Sequence, residues 1–401
     1  MTSFPELDSP SPTTTAWRTL LALAVVFVLL ATTGWTAIRQ PGNTDPRAAA
    51  LAAWRTGSID GHRLPDPYAP PRQLTRFFDT LSPVQRDRLA RRYPLVVGNL
   101  NGAPVPLRYR ANRLALQRAR QVERQRMDDS SLTPFGRREA GRRMHRYTSM
   151  LGGGRQILAF DPAGPGRAAE VFGDLSRARH VAVVVPGVDT NILTFQKTRR
   201  AYTAPVGMAR AVYSAERAMR PRGGYAVIAW ADYTAPVGTG LDAATGKLAA
   251  EGALRLRAMV KGLPERARVS LLCHSYGSVL CGVAARELSP SVTDIAVAGS
   301  PGMRAGHVSD FGTTARVWAM RDADDWIEDV PNLTLGGLGH GADPMGEGFG
   351  ARRLSAARAE GHSGYFTPGT ESVRNFARIG IGDVRSVTCA DRADCGTSPS
   401  A

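Results

Sequence analysis

Lysine is nearly absent. The 401-residue chain holds only Lys197, Lys247 and Lys261 among 51 basic residues, so its formal charge of +16 rests on arginine. Cysteine is scarce as well, with four, and aromatics make up 7%. No His-Glu-x-x-His pattern exists, and two tail cysteines without nearby histidines make a poor metal site, so no metal is expected. Thr245-Gly246-Lys247-Leu248 lacks the glycine spacing and the Ser/Thr of a phosphate-binding loop. Gly152-Gly-Gly154 precedes a strand instead of opening a helix, which removes a dinucleotide fingerprint. No cofactor is expected. No nucleic-acid module or aromatic stacking platform is visible, so the positive charge does not point to a nucleic-acid partner.

One long apolar run is present. Thr19 to Ile38 is 20 uncharged residues bounded by Arg18 and Arg39, with Trp17 and Trp35 near its ends. That length spans a bilayer as a helix, and aromatic rings favour its interfaces. Thr32-Thr-Gly34 is a poor cleavage site, so 19–38 reads as an uncleaved anchor after a tail at 1–18. Arg39, Arg47 and Arg55 follow the run, and counting them would hold the domain inside. Cys389 and Cys395 could close a small disulfide loop in the polar tail at 383–401, which requires an oxidising compartment. The expectation is a single-pass membrane protein facing outward. Cys273 and Cys281 read as small buried residues.

Residues 39–71 are rich in turn formers and read as a linker. Residues 72–150 read as an arginine-rich helical extension: 72–146 hold 18 Arg and no Lys against six acids. Its arginines form a solvated face, and the extension is placed before the sheet, over part of the site's mouth. From 151 to 382 apolar runs of strand length fall at 156–160, 169–172, 180–185, 225–230, 268–273, 293–298 and 315–320. Helical stretches at 206–220, 241–262 and 276–288 alternate with the later ones. This predicts an α/β domain with a mostly parallel sheet flanked by helices. The turn-rich 161–166 link makes the first two strands an antiparallel hairpin at the edge.

The chemistry gathers at a strand-turn-helix. Arg268 to Cys273 is apolar and strand-like, His274-Ser275-Tyr276-Gly277-Ser278 follows, and the small apolar residues from Val279 suit a buried helix. A serine at such a turn presents its hydroxyl above the sheet, with small residues two positions either side. Gly277 meets that need, and Cys273 stands where glycine is usual. A hydrolase of this kind needs an acid and then a histidine downstream. The strand at 315–320 runs into a loop with Asp322, Asp324 and Asp325. Of the later histidines, His362 lies just before a credible last helix from Glu371 to Ile379, and His340 lies in a glycine-rich loop. For the oxyanion, the amides of Tyr276 and of Val188, in the Pro186-Gly187-Val188 turn, are the candidates.

From about Pro71 to Ile381 the chain resembles a bacterial α/β-hydrolase domain family of uncharacterised function. The likeness rests on Tyr93 to Gly102, Asp161-Pro162, Gly173-Asp174, His180 to Asp189, His274 to Ser278, Gly299-Ser-Pro-Gly302 and Gly361 to Phe366. It implies a serine-hydrolase fold with nucleophile Ser275, acid Asp325 and base His362, and it implies no substrate. Two functions follow as expectations. One is a membrane-anchored serine hydrolase acting on an ester or thioester of a small-molecule or lipid-like acyl substrate. The other is a catalytically inactive α/β-hydrolase-fold binding or scaffold protein of the cell envelope.

Overall fold

The computed structural model describes residues 45–332, 338–390 and 395. The anchor expected at 19–38 lies outside these residues. Among the described residues no helix is long and apolar enough to cross a membrane.

Eight strands form the main sheet: β3 Gln156–Asp161, β4 Arg167–Gly173, β5 His180–Val185, β6 Tyr225–Ala231, β7 Arg268–His274, β8 Val292–Ala298, β9 Arg316–Met320 and β10 Arg352–Arg353. Their order is β10-β9-β8-β7-β5-β6-β4-β3. The β3–β4 and β4–β6 pairs are antiparallel, and every other pair is parallel. The central strands are apolar on both faces because both faces are covered. In β5, Val181, Val183 and Val185 enter one core, and Ala182 and Val184 enter the other. Helices Lys247–Lys261 and Tyr276–Ala285 close the first face through Ala253, Leu256, Val279 and Leu280. Helices Pro205–Met219 and Glu371–Gly380 close the second through Val206, Val212, Phe376 and Ile379. The helix expected over 241–262 breaks at Thr245-Gly246, leaving a short turn of helix, Leu241–Ala244, before the longer one.

The segment expected to be a linker is folded from Pro46 onward. Helix Pro46–Arg55 leads into a hairpin of β1 Ser58–Ile59 and β2 His62–Arg63, turned at Asp60-Gly61. Trp54, Ile59 and Leu64 join Phe78, Leu89 and Val97 in a third core. The buried Trp54 ring donates its N–H to the Pro65 carbonyl at 2.7 Å. Burial of a few large side chains offsets the turn-rich composition that suggests a tether.

Helices Val105–Met127 and Pro134–Met150 pair with each other, and the first lies along β3. The extension therefore covers the sheet's edge. Asn99 stands in for a neighbouring strand: its side chain accepts from Phe160 N–H at 3.1 Å and donates to Phe160 O at 2.8 Å. Asn112 donates to Ile157 O and Arg108 to Leu158 O, each at 3.0 Å. These three polar side chains satisfy the backbone groups that an edge strand leaves open. At the far edge Ser355 N–H bonds Thr388 O, and Ala390 N–H bonds Arg353 O, so the tail lies on β10. A Cys389–Cys395 disulfide closes the tail loop.

Candidate active site

β7 delivers the chain to Ser275 with φ 53° and ψ −130°, a conformation L residues rarely hold. The turn is fixed from several sides. Ser275 N–H bonds Ala298 O at 3.0 Å, and Ser278 Oγ donates to Ser275 O at 2.5 Å and lies 2.7 Å from Ser300 Oγ. A Cβ on Gly277 would sit 2.4 Å from Val185 O, which is why no side chain fits two positions after the serine. Two positions before it, Cys273 forms a disulfide with Cys281 of the following helix. The two cysteines are buried as expected, but they are bonded to each other and are not free thiols. The bond ties the last residues of the strand to the second turn of the helix across Ser275.

Three expected residues meet. His362 Nε2 lies 2.9 Å from Ser275 Oγ, and His362 Nδ1 lies 2.8 and 3.1 Å from the two Asp325 carboxylate oxygens. With both carboxylate oxygens at Nδ1, the proton belongs there, and Nε2 is free to accept from the serine. Asp325 caps the short helical turn Trp326–Asp329 by accepting from Ile327 N–H at 3.0 Å, and takes a 2.5 Å hydrogen bond from Tyr365 OH. Burial alone would raise the Asp325 carboxyl, but bonds from His362, Tyr365 and Ile327 hold it below its ordinary value. Tyr365 is raised by burial and by that same carboxylate. A hydroxyl aligned on a neutral imidazole whose other nitrogen is held by a carboxylate can pass its proton to that imidazole.

The alternatives sit elsewhere. Asp322 accepts from Gly361 N–H at 2.8 Å and so holds the loop that carries His362, while Asp324 is exposed. His340 donates Nε2–H to Ala243 O at 2.7 Å and sets its ring edge-on to Tyr276, 5.8 Å away.

On the oxyanion side, Gly187 lies against the serine: a Cβ there would stand 2.7 Å from Ser275 Cβ. Buried Tyr233 donates its OH to Pro186 O at 2.7 Å and lies 3.2 Å from Gly187 O. With the Gly187 carbonyl turned toward Tyr233, the trans peptide sends Val188 N–H the opposite way. Among the described residues no hydrogen bond occupies Val188 N–H or Tyr276 N–H.

Sequence reasoning did not single out Tyr233, His274 or Tyr365 as parts of the site. His274 is buried, and its Nε2 meets the His362 carbonyl at 2.7 Å, so it donates. Burial, reinforced by the neighbouring His362, pushes its value down to about 4. Tyr365 falls inside the Gly361 to Phe366 stretch that carries the family likeness, and a buried tyrosine there was the available signal. Among the described residues no group of three or more His, Cys, Asp or Glu side chains could hold a metal ion.

Residues 161–335 match the model of a family described as Alpha/beta hydrolase. The chain is 28% identical over 377 residues to an uncharacterized protein of Mycobacterium tuberculosis, covering 80% of this chain and 57% of that protein. It therefore spans little more than half the length of that relative. It is 32% identical over 168 residues to an uncharacterized protein of Mycobacterium bovis, covering 40% of this chain and 62% of that one. Among solved structures, an α/β serine hydrolase without a lid from Xanthomonas campestris is 14% identical, with a TM-score of 0.34 over 58% of this chain and 95% of that one.

Proposed function

We propose that this chain, whose residues 161–335 match the α/β-hydrolase family model, is a serine hydrolase that cleaves an ester or thioester through an acyl-enzyme on Ser275. The observation that carries the reading is the unbroken line from Ser275 Oγ through His362 to Asp325, with contacts of 2.9 and 2.8 Å.

The steps follow from those atoms. Ser275 Oγ bonds to the substrate carbonyl carbon as its proton moves to His362 Nε2. The oxyanion faces the amides of Val188 and Tyr276. Collapse breaks the bond to the leaving oxygen or sulfur, which takes the proton from His362. Water then attacks the acyl carbon, giving one proton to His362. The carboxylic acid departs, and the proton returns to Ser275. Asp325 keeps the histidine tautomer and stabilises the imidazolium without taking the proton.

The apolar run at 19–38 supports a place at a membrane, and two disulfides in one chain support an oxidising side of it. The test is a fluorophosphonate probe on the full chain beside Ser275→Ala and His362→Ala. Labelling of the wild type and loss in both variants is the expected result. An unlabelled wild type overturns the reading and leaves a binding protein on a hydrolase fold.

A further inference from the structure

Exposed apolar side chains occur on two segments bonded or packed to the parts of the site. One is Trp326, next in sequence to Asp325. Its ring centre is 4.7 Å from that of His362, yet the residue is 48% exposed. The other is a stretch of nine uncharged residues, Tyr233 to Leu241. It is tied to the turn beside the serine: Asp189 N–H bonds Pro236 O, and Gly238 N–H bonds the Asp189 carboxylate, both at 2.8 Å. From this stretch Val237 and Leu241 are 83% and 69% exposed.

The exposure is a property of the place. The hexapeptide Tyr-Thr-Ala-Pro-Val-Gly occurs twice, at 202–207 and at 233–238. In the first copy Pro205 opens a helix and Val206 is 1% exposed. In the second, the same six residues hold Val237 out in solvent beside the site. The first copy's Tyr202 is also partly exposed, on a turn that packs against the Gly361–Phe366 loop.

We propose that this rim is the acyl-binding surface of the enzyme, and that the substrate is a neutral ester with an extended hydrocarbon acyl chain lying between Trp326 and the Val237–Leu241 edge. The inference rests on the serine-hydrolase reading and names its substrate class. Isolated exposed apolar residues need no explanation, but several converging on one reactive group mark a binding surface. Next to Trp326 and Leu241 in the chain the exposed charges are the carboxylates Asp242, Asp324 and Glu328, the last paired with Arg321 at 3.3 Å. The exposed cations Lys197, Arg199 and Arg200 lie before Tyr202, so no single sign of charge dominates the rim and a neutral ester suits it. A chain shielded on one side gains about twofold per added methylene, half the free energy of full burial.

The experiment uses the full chain in amphipol and reads kcat/KM for p-nitrophenyl acetate and p-nitrophenyl octanoate. The wild type should favour octanoate by at least about tenfold. Trp326→Ala, and separately Val237→Ser with Leu241→Ser, should cut the octanoate-to-acetate ratio severalfold. The ratio cancels any damage that loss of Trp326 does to His362, and the second variant touches neither His362 nor Asp325. A wild type that labels with fluorophosphonate but shows no chain-length preference overturns this proposal and leaves the hydrolase reading standing. A ratio unchanged in both variants also overturns it and assigns the rim to a macromolecular contact. No labelling and no turnover remove both readings.

Discussion

His274 holds the backbone of His362: its ring N–H reaches the His362 carbonyl at 2.7 Å, and the two rings stand 5.0 Å apart. The residue before the serine thus anchors the loop that carries His362, joining two segments 88 positions apart in the chain. Tyr365 and Phe366 close around the same ring. His274 is held neutral by burial and by the neighbouring His362, which together outweigh the bond to the His362 carbonyl that would favour a second proton.

That neutral state makes stability depend on pH. The folded-state value of His274, about 4, lies below its ordinary 6.5, so the unfolded chain takes up the proton first. The penalty is absent above about pH 6.5 and grows as pH falls toward 4, reaching about 3 kcal/mol. Urea unfolding across that range should show the loss in the wild type and a shallower loss in His274→Gln, which keeps a donor and does not titrate. Equal slopes in the two proteins would remove His274 as the source.

Tyr365→Phe deletes the hydroxyl that donates to Asp325 and leaves the ring in place. A hydrogen bond to a charged group is worth about 1.5–3 kcal/mol. The melting temperature should therefore fall by several degrees, and the fluorophosphonate labelling rate should fall as well, because Asp325 loses a contact that fixes it against His362. Wild-type labelling in this variant would mean that the hydroxyl only fills space.

Tyr233→Phe tests the oxyanion side. Without its hydroxyl no other hydrogen bond among the described residues holds the Pro186 and Gly187 carbonyls, and the Val188 amide loses its fixed direction. Removal of one oxyanion donor costs a hundredfold or more in kcat (about 10²–10³), so loosening one should cost about tenfold, with KM unchanged. A rise in KM with constant kcat would place Tyr233 in substrate binding instead.

The Cys273–Cys281 bond closes a short loop, with a sequence separation of eight. Chain-entropy arguments assign it about 2.5 kcal/mol. Cys273→Ser with Cys281→Ser should lower stability by that order in chemical unfolding. Iodoacetamide added to unreduced, unfolded wild type should find none of the four cysteines.

Much of this was legible because composition changes where structure changes. The valines of β5 and the switch from apolar strand to small-residue helix around Ser275 are local signals, and local signals survive in a sequence. The order of Ser275, the aspartate loop and His362 could be read in the same way. What escaped depends on distant partners. β10 is two arginines with no pattern of their own, a strand only because β9 and the tail flank them. Trp54, Ile59 and Leu64 fall five apart, a spacing that fits neither helix nor strand, so their common core is invisible until the hairpin folds them together. The Cys273–Cys281 pair requires knowing that a strand end and a helix turn face each other. The break at Thr245-Gly246 interrupts a run that periodicity alone would continue.

The covered edges of the main sheet have a consequence for how copies of this protein can meet. β3 is lined by Asn99, Asn112 and Arg108, and β10 by the disulfide-closed tail, so neither flank offers a free ladder to another chain. Strand-by-strand polymerisation, the usual hazard of a long sheet, has no open flank on the main sheet among the described residues. Self-association through the main sheet would instead draw on helix surfaces or loops, and on the extension the clustered arginines of two copies would repel each other.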